Sequence, residues 1–396
     1  MREIDVIVLG SGISGCATSA YLSQKGFKVA MISRDAGTAY HLPESWIYNS
    51  SCNMGNPKVG ERLLSALKKN SSCVFCSASG QQTIEIKVKS SSNEVEYGDL
   101  VHVDRNLFDQ VLLEAALDSG VEFFPKSIIK SCELSSISVN ISYDSQSCSY
   151  ELVAPIIVDA TGKTAYLSQH LELPVEEQKL DQRIALFSHF ELPSEVIHEM
   201  RIIAIEGGYL FSIPLSKNRI SIGCVLAENS LDPSAPSDKL FSNTIALSSY
   251  LTNMLEGAKR VLPIIPAKNY RRVCVEPAGS CYRLVGDAAA FLDPFFSPGI
   301  DFAFFSAEQA AASIVQNTPE SYTKAIQNWL KNQQSSVYQN IEKSLWNDIL
   351  KLFADPHLPL QIPLMLTQAF TSVVRDGCSY SNGIQVARGA YATAVH

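Results

Sequence analysis

Two short apolar runs on either side of a helical pattern open the chain. Residues 4–9 (IDVIVL) and residues 28–33 (KVAMIS) are rich in aliphatic side chains, as in strands buried within a parallel sheet. Residues 13–26 (ISGCATSAYLSQKG) favour a helix that ends at Gly26. The order strand, helix, strand predicts one βαβ unit.

Later segments alternate between polar and apolar positions, which predicts antiparallel strands with one face in water. These segments are residues 73–100 and 131–151, and strands also dominate residues 183–226. Helical patterns fall at residues 106–119, 239–256 and 300–316 and across most of the chain beyond residue 320. The mixture predicts an α/β protein with sheet-rich insertions.

Charge and cysteine content exclude several classes of function. The 396 residues carry 40 Asp and Glu against 32 Lys and Arg, so an acidic chain without a basic run is not expected to bind nucleic acid. No apolar run is long enough for a membrane helix, and no signal peptide is visible. The ten scattered cysteines favour a reduced, cytoplasmic protein without a metal site, and Cys73-x-x-Cys76 is interpreted as a chance pair.

A glycine-rich loop follows the first predicted strand. Gly10 would make the tight turn, Gly12 would let a pyrophosphate approach the backbone, and Gly15 would let helix and strand pack closely. The helix then offers free N–H groups and a positive dipole end to phosphates. We therefore expect Ser11 and Ser14, together with the three glycines, to line a dinucleotide site.

The second strand ends without the acid that usually binds the adenosine ribose. That place falls at Ser33, which offers one hydroxyl instead of a bidentate carboxylate. Asp35 could substitute or be a loop residue, and Arg34 could meet adenine or phosphate or be solvated. We expect Ser33 and Arg34 at the adenosine end of the cofactor.

Three more segments, in order and at suitable spacing, carry a resemblance to a known family. They are residues 103–109 (VDRNLFD), 158–162 (VDATG) and 284–301 (LVGDAAAFLDPFFSPGID). With the glycine loop, they resemble the fingerprints of the FAD-dependent p-hydroxybenzoate hydroxylase-like flavoproteins. The resemblance implies a Rossmann-like FAD-binding domain, an inserted antiparallel-sheet substrate domain and a helical C-terminal region.

The same resemblance implies seven further FAD-binding residues, which are Arg105, Asp159, Gly162, Asp287, Pro294, Gly299 and Ile300. In that family the arginine points toward the phosphates, the DATG turn packs beneath the cofactor, and the aspartate after glycine binds the ribityl chain. The backbone from Pro294 to Ile300 would then pass along the isoalloxazine ring. The dipole of the following helix would point at the pyrimidine end of that ring.

Within this group the chain resembles the flavin-dependent halogenase branch over residues 1–320. Glu44 and Ser45 stand where that branch carries a G-E-S/T loop near the flavin. Three departures argue against halide chemistry. Residues 77–80 (SASG) lack the lysine of the branch, residues 209–214 (YLFSIP) lack both tryptophans of its W-x-W-x-I-P motif, and Phe296 replaces a glutamate.

These departures favour an FAD-dependent monooxygenase that hydroxylates an aromatic or electron-rich substrate. The oxygen donor would be the flavin C4a-hydroperoxide formed with O₂. Electrons would come from NAD(P)H, either directly or through a separate flavin reductase. The alternatives are a flavin-dependent halogenase, a geranylgeranyl reductase-like oxidoreductase, and a degenerate flavoprotein that only binds a partner.

Glu44 is the first candidate for a catalytic residue, because the resemblance places it beside the flavin ring. Weaker polar candidates are His41, His170, His189 and Tyr209, since a lone histidine is more often structural. An aromatic cage is an open alternative to an ordinary core for residues Tyr209, Phe211, Phe295, Phe296 and Phe302. A small molecule, a carrier-bound group or a peptide could be the substrate.

Domain boundaries follow from these motifs. Residues 1–75, 100–165 and 270–325 are predicted to form the discontinuous FAD-binding domain. Residues 76–99 and 166–269 are predicted to form the sheet-rich substrate domain, and residues 326–396 the helical C-terminal region.

Overall fold

A computed structural model gives the fold of the chain. It describes residues 4–35, 44–70, 72–87, 95, 99–135, 138–145, 148–195, 199–227, 235–291, 298–333 and 385–390. The strands are β1 Val6–Leu9, β2 Val29–Ile32, β3 Ser45–Ile47, β4 Leu67–Asn70, β5 Ser72–Cys76, β6 Gln82–Lys87, β7 Leu100–Val103, β8 Glu122–Phe124, β9 Ser127–Leu134, β10 Val139–Ser145, β11 Cys148–Ala154, β12 Ile156–Asp159, β13 Val175–Glu191, β14 Met200–Ile205, β15 Gly208–Pro214, β16 Arg219–Ala227, β17 Lys259–Arg260, β18 Ile265–Cys274, β19 Tyr282–Leu284, β20 Ala290–Phe291 and β21 Gln385–Ala390. The helices are α1 Ile13–Gln24, α2 Pro57–Leu63, α3 Arg105–Asp118, α4 Tyr166–His170, α5 Ser237–Ile245, α6 Ser249–Met254, α7 Pro298–Gln316 and α8 Pro319–Gln333.

A five-stranded parallel sheet forms the first layer, in the order β19-β12-β1-β2-β8. Strands β1 and β2 are fully buried, which explains their uninterrupted apolar sequences. Helix α1 joins these two strands and packs against α3 and α7. The predicted βαβ unit is therefore present, and strands from three distant parts of the chain meet in one sheet.

A large sheet forms the second part of the molecule, in the order β20-β18-β13-β16-β15-β14-β5-β6-β21, with β17 paired to β13. Side chains alternate between its two faces. One face carries Leu186, Leu210 and Cys224, which pack with α5 and α6 in an apolar cluster. The other face carries Phe187, His189 and Phe211, as the register of β13, β15 and β16 requires.

A small antiparallel sheet, β3-β7-β4, links these two parts. Trp46 on β3 is fully buried against Phe108 and Phe304 of the parallel-sheet core. Strand β4 leads after one residue into β5 of the large sheet. This small sheet therefore fixes the residues around Ser45 relative to both larger sheets.

The α/β architecture is the predicted one, with one difference at the C-terminal end. Helix α8 agrees with the predicted helical region, but Gln385–Ala390 form a strand that pairs antiparallel with β6. Without this strand, β6 would be an edge strand with unpaired backbone groups, which a further strand can satisfy whatever its own propensity. Among the described helices, none has the length and apolar character needed to cross a bilayer. The division into domains stays a prediction.

Candidate functional site

The glycine loop at the end of β1 has the geometry expected for phosphate binding. Gly10 has a φ of 103°, and a Cβ there would lie 2.3 Å from the carbonyl oxygen of Ala160. A Cβ at Gly15 would lie 2.0 Å from the oxygen of Gly10. Gly12 is the N-cap of α1 without a side-chain cap, and nothing lies within 4 Å of its Cβ position. The free N–H groups of α1 therefore face an open space.

The serines of this region form contacts between motifs. Ser11 Oγ donates a hydrogen bond to Ser33 Oγ at 2.9 Å, at the adjacent ends of β1 and β2. Ser14 Oγ lies 2.6 Å from the Cβ position of Gly286, so the first and last fingerprints touch. Arg34 and Asp35 are exposed. Ser33 Oγ is thus held at the end of β2 by Ser11, and its contact with the adenosine ribose stays a prediction.

Asp159 holds together the DATG turn that is predicted to pack beneath the cofactor. Its Oδ1 accepts hydrogen bonds from the backbone N–H of Thr161 at 2.9 Å and from the Thr161 hydroxyl at 2.6 Å. Its Oδ2 accepts the backbone N–H of Leu167 at 2.7 Å. Because both oxygens of this buried carboxylate are engaged, Asp159 builds the turn at Gly162, which has a φ of 64°.

Asp287 lies near two positively charged side chains, those of Lys163 and Arg105. Burial raises the pKa of its carboxyl, while Lys163 and Arg105 act in the opposite direction. Arg105 is itself fixed by Asp109, which accepts from its Nε and Nη2 at 3.1 Å each. The Lys163 ammonium lies 4.1 Å from the centre of the Phe291 ring, and its pKa is lowered by desolvation. Sequence reasoning missed Lys163, although it directly follows the DATG segment.

A second residue missed by the sequence analysis is Asp301, an acid in the first turn of the long helix α7. Its Oδ1 accepts from Trp46 Nε1 at 2.8 Å and from Asn49 Nδ2 at 2.6 Å. Burial raises its pKa to about 6, although these two donors lower it. Asp301 thus ties β3 to the start of α7, and Gly299 and Ile300 lie in the first turn of the same helix.

Replacing Asp301 by Asn is expected to change the pH dependence of stability. The pKa of about 6 in the folded state exceeds the ordinary 3.8, so the folded state binds more protons between these values. Stability present below about pH 4 is lost as the pH rises through about 6. Asn keeps the Oδ1 acceptor without the buried charge. Asp301→Asn should therefore stabilise the protein above pH 6, by at most ~3 kcal/mol.

Thermal unfolding from about pH 4 to about pH 8 checks this expectation. Asp118→Asn is the matched control, because Asp118 is an exposed carboxylate on α3. If the Asp301→Asn and wild-type stability curves run parallel at all pH values, the assignment of a raised pKa to Asp301 is wrong.

Glu44, the predicted catalytic residue, meets a histidine of the large sheet. His189 Nε2 on β13 lies 2.5 Å from Glu44 Oε1, and the two residues are 4% and 2% exposed. The Glu44 carbonyl accepts from the N–H of Val103, which extends the pairing of β3 with β7. By contrast, His170 lies on α4 with its Nε2 against the carbonyl of Cys132, away from Glu44.

The segment predicted to match the lysine loop of the halogenases lies on the face of the large sheet that is opposite to His189. Ser248 Oγ, beside α6, donates to the carbonyl of Ala78 at 2.7 Å. A Cβ at Gly80 would lie 2.8 Å from the Tyr250 ring. Residues 77–80 therefore pack toward the helices α5 and α6, opposite to His189.

A different lysine has the environment of a functional group. The Nζ of Lys68 on β4 is buried and has no hydrogen-bond partner within the described part of the chain; burial lowers its pKa, while the charge of Glu195 raises it. Ser45, His102 and Lys68 stand opposite one another in register, so they share one face of the small sheet. A cation buried without a partner is costly unless a ligand meets it.

Four residues of the sequence analysis, Pro294, His41, Phe295 and Phe296, lie outside the described residues. Phe302 is buried in the core against Trp329 of α8, so it does not line a cage. Cys73 and Cys76 lie three positions apart on β5 and therefore on opposite faces. Among the residues that are described, no three His, Cys, Asp or Glu side chains come together as a metal site.

Comparison with known proteins agrees with this architecture. The family model described as tryptophan halogenase matches residues 65–342. The 1H-pyrrole-2-carbonyl-[peptidyl-carrier protein] chlorinase of Pseudomonas fluorescens is 25% identical, covering 84% of this chain and 82% of that protein. The corresponding brominase of Pseudoalteromonas luteoviolacea is also 25% identical, over 80% of this chain and 78% of its own length. A triple mutant of the flavin-dependent brominase Bmp2 has the same fold, with a TM-score of 0.76 at 19% identity, over 95% of this chain and 96% of the other.

The parallel sheet, the glycine loop and the motifs that converge on it define an FAD-dependent oxidoreductase-type enzyme, as the sequence predicts. Because its family model covers most of the sequence, the chain belongs to the tryptophan halogenase family. The predicted halogenase-like branch is confirmed.

Proposed function

We propose that this chain is a flavin-dependent halogenase that places chlorine or bromine on an electron-rich aromatic ring bound to a peptidyl carrier protein. The observation that carries this proposal is the family match over residues 65–342. The two pyrrole-carrier relatives support the substrate class, since each is similar over most of both chains. The absence of the halogenase lysine at residues 77–80 and of the two motif tryptophans favours hydroxylation. The family match and the halogenase relatives give halogenation more support.

The described residues fit FAD. The uncapped start of α1 and the open space at Gly12 suit the pyrophosphate, and Arg105 and Lys163 supply positive charge near Asp287. Asp287, desolvated and half-buried, is a suitable acceptor for ribityl hydroxyls. Reduced FAD supplies activated oxygen from O₂ for oxidising halide, with electrons from NAD(P)H through a separate flavin reductase.

The missing lysine at residues 77–80 does not exclude halogenation, because another lysine of the chain could take its role. Residues 77–80 pack against α6, where a lysine could not serve the site. Lys68 lies two strand spacings from Ser45, roughly 10 Å across the small sheet. Its buried, unpartnered ammonium suits a halide or hypohalous acid. We assign the role of the halogenase lysine to Lys68, which lies on the face of the small sheet opposite to Glu44, so hypohalous acid would have to pass from one face of this sheet to the other.

Turnover with defined halides tests the proposed function. The full chain with FAD, NADH, a flavin reductase and O₂ would receive a carrier protein loaded with 1H-pyrrole-2-carbonyl. Chloride or bromide should be required, and the product should show one hydrogen replaced by halogen, with the isotope doublet of that halogen. A halide-independent gain of one oxygen atom would establish hydroxylation instead. Turnover of the free acid alone would overturn the carrier-bound substrate.

A further inference from the structure

The contact between Glu44 and His189 joins the small sheet to the large sheet. The two residues are 145 positions apart in sequence, and their side chains meet at 2.5 Å with almost no solvent exposure. An ionised carboxylate offers only acceptors, so the histidine Nε2–H donates to Glu44 Oε1. The histidine therefore fixes the orientation of the carboxylate.

The other oxygen of this carboxylate is available for chemistry. Glu44 Oε2 is buried and has no hydrogen-bond partner among the described residues. Ser221 Oγ on β16 is also buried and has no hydrogen-bond partner among the described residues. Ser221 stands directly opposite His189 in the register of β13 and β16, so the two share a face. Buried polar atoms without partners are uncommon in folded proteins and point to a ligand.

The surface around these groups is aromatic. We call Phe187, His189, Phe211 and Gly223 the aromatic face; the register places them on one side of β13, β15 and β16. A Cβ at Gly223 would lie 2.1 Å from Cζ of Phe211, so only glycine lets that ring lie across β16. Phe187 and His189 have ring centres 6.3 Å apart. This face suits a flat, apolar ring with one polar group.

We infer that Glu44, oriented by His189, is the base that removes the proton from the halogenated ring carbon, and that Ser221 binds the polar group of the same ring. The inference rests on the proposed function, since it assigns the proton acceptor of that reaction. Glu44 touches the substrate and is a catalytic residue, whereas His189 is a positioning residue.

The atoms of this step balance with hypohalous acid, the oxidant that the proposed function supplies. The ring carbon forms a bond to halogen as the halogen–oxygen bond breaks, and hydroxide leaves. The same carbon then carries both hydrogen and halogen. Glu44 Oε2 accepts that proton, and the C–H electron pair returns to the ring. The proton finally joins the hydroxide, so the products are the aryl halide and water.

A substrate isotope effect tests Glu44. The probe is the pyrrole-loaded carrier protein with deuterium on the ring carbons. In the wild type, proton loss follows the slower formation of the carbon–halogen bond, so deuterium should not change the rate. In Glu44→Gln, kcat should fall by about 10²-fold or more, and a primary isotope effect should appear because proton loss becomes limiting. FAD affinity should stay unchanged.

Two histidine variants test the positioning role. Gln can present an amide N–H near the place of Nε2, so His189→Gln should retain much of the activity, while His189→Leu should behave like Glu44→Gln, isotope effect included. Glu191→Gln is the matched control, because Glu191 lies on the same strand with a half-exposed ion pair to Arg219. It should leave kcat and the isotope effect unchanged.

The outcomes separate the two proposals. Absence of halogenated product from the wild type would overturn the proposed function and leave no proton step to assign. If the wild type halogenates and Glu44→Gln retains its rate without an isotope effect, the proposed function stands and the inference about Glu44 is wrong. Equal losses in His189→Gln and His189→Leu would overturn the positioning role alone.

Discussion

Lys68→Met is expected to abolish halogenation while leaving the fold and FAD binding intact. Met has a similar length and apolar stem, but it cannot attract a halide or hydrogen-bond hypohalous acid. Loss of one charged group that stabilises the reacting species in a buried site commonly lowers kcat by about 10²- to 10³-fold. Because no described residue forms a hydrogen bond with the Nζ of Lys68, and only the charge of Glu195 offsets its burial, the folded protein should be about as stable as the wild type.

Halogenated product per reduced flavin, followed together with peroxide, measures this effect. Reduced flavin should still be consumed by Lys68→Met, but its oxygen should appear as hydrogen peroxide instead of product. Lys58→Met is the matched control, because Lys58 is an exposed lysine of α2 in the same segment. If Lys68→Met halogenates at the rate of the control, the halogenase lysine lies elsewhere in the chain.

The cofactor half of the molecule could be predicted from sequence because its chemistry is local. Gly10, Gly12 and Gly15 stand within six positions, and backbone geometry alone explains each of them. The contact of Ser14 with Gly286 follows once both fingerprints are assigned to one cofactor. The role of Asp159 was harder to predict, since a carboxylate next to a glycine turn can bind either a ligand or its own backbone.

The substrate side could not be predicted because its parts are distant in sequence. Nothing near His189 distinguishes it from a structural histidine, and only the approach of β13 to Glu44 gives it a partner. In the sequence, Lys68 and Lys69 look like two adjacent surface lysines. In the structure, Lys69 forms an ion pair with Asp99, whereas the Nζ of Lys68 is buried without a hydrogen-bond partner among the described residues. Spacing along the sequence suggests residues 77–80 as the lysine segment, but spacing does not show which face of the large sheet these residues occupy.

Asp287→Ala is expected to weaken FAD binding by about 1.5–3 kcal/mol, roughly a ten- to hundredfold rise in Kd. The carboxylate would accept hydrogen bonds from ribityl hydroxyls, and Asp159 cannot replace it because Thr161 and Leu167 engage both of its oxygens. Without Asp287, the positive charges of Lys163 and Arg105 would no longer be balanced by a nearby carboxylate. These cations would still attract the phosphates, so binding should be weakened rather than lost.

Fluorescence titration of the flavin-free chain with FAD measures this constant independently of turnover. Asp118→Ala on the exposed surface of α3 is the control, and its Kd should equal that of the wild type. A comparison with FMN locates the effect, because FMN has the ribityl chain but lacks the adenosine half. Asp287→Ala should weaken FMN by a similar factor. If FAD affinity is unchanged, the convergence of the glycine loop and the Gly286–Asp287 turn on one cofactor is wrong, and the proposed chemistry has no flavin to act through.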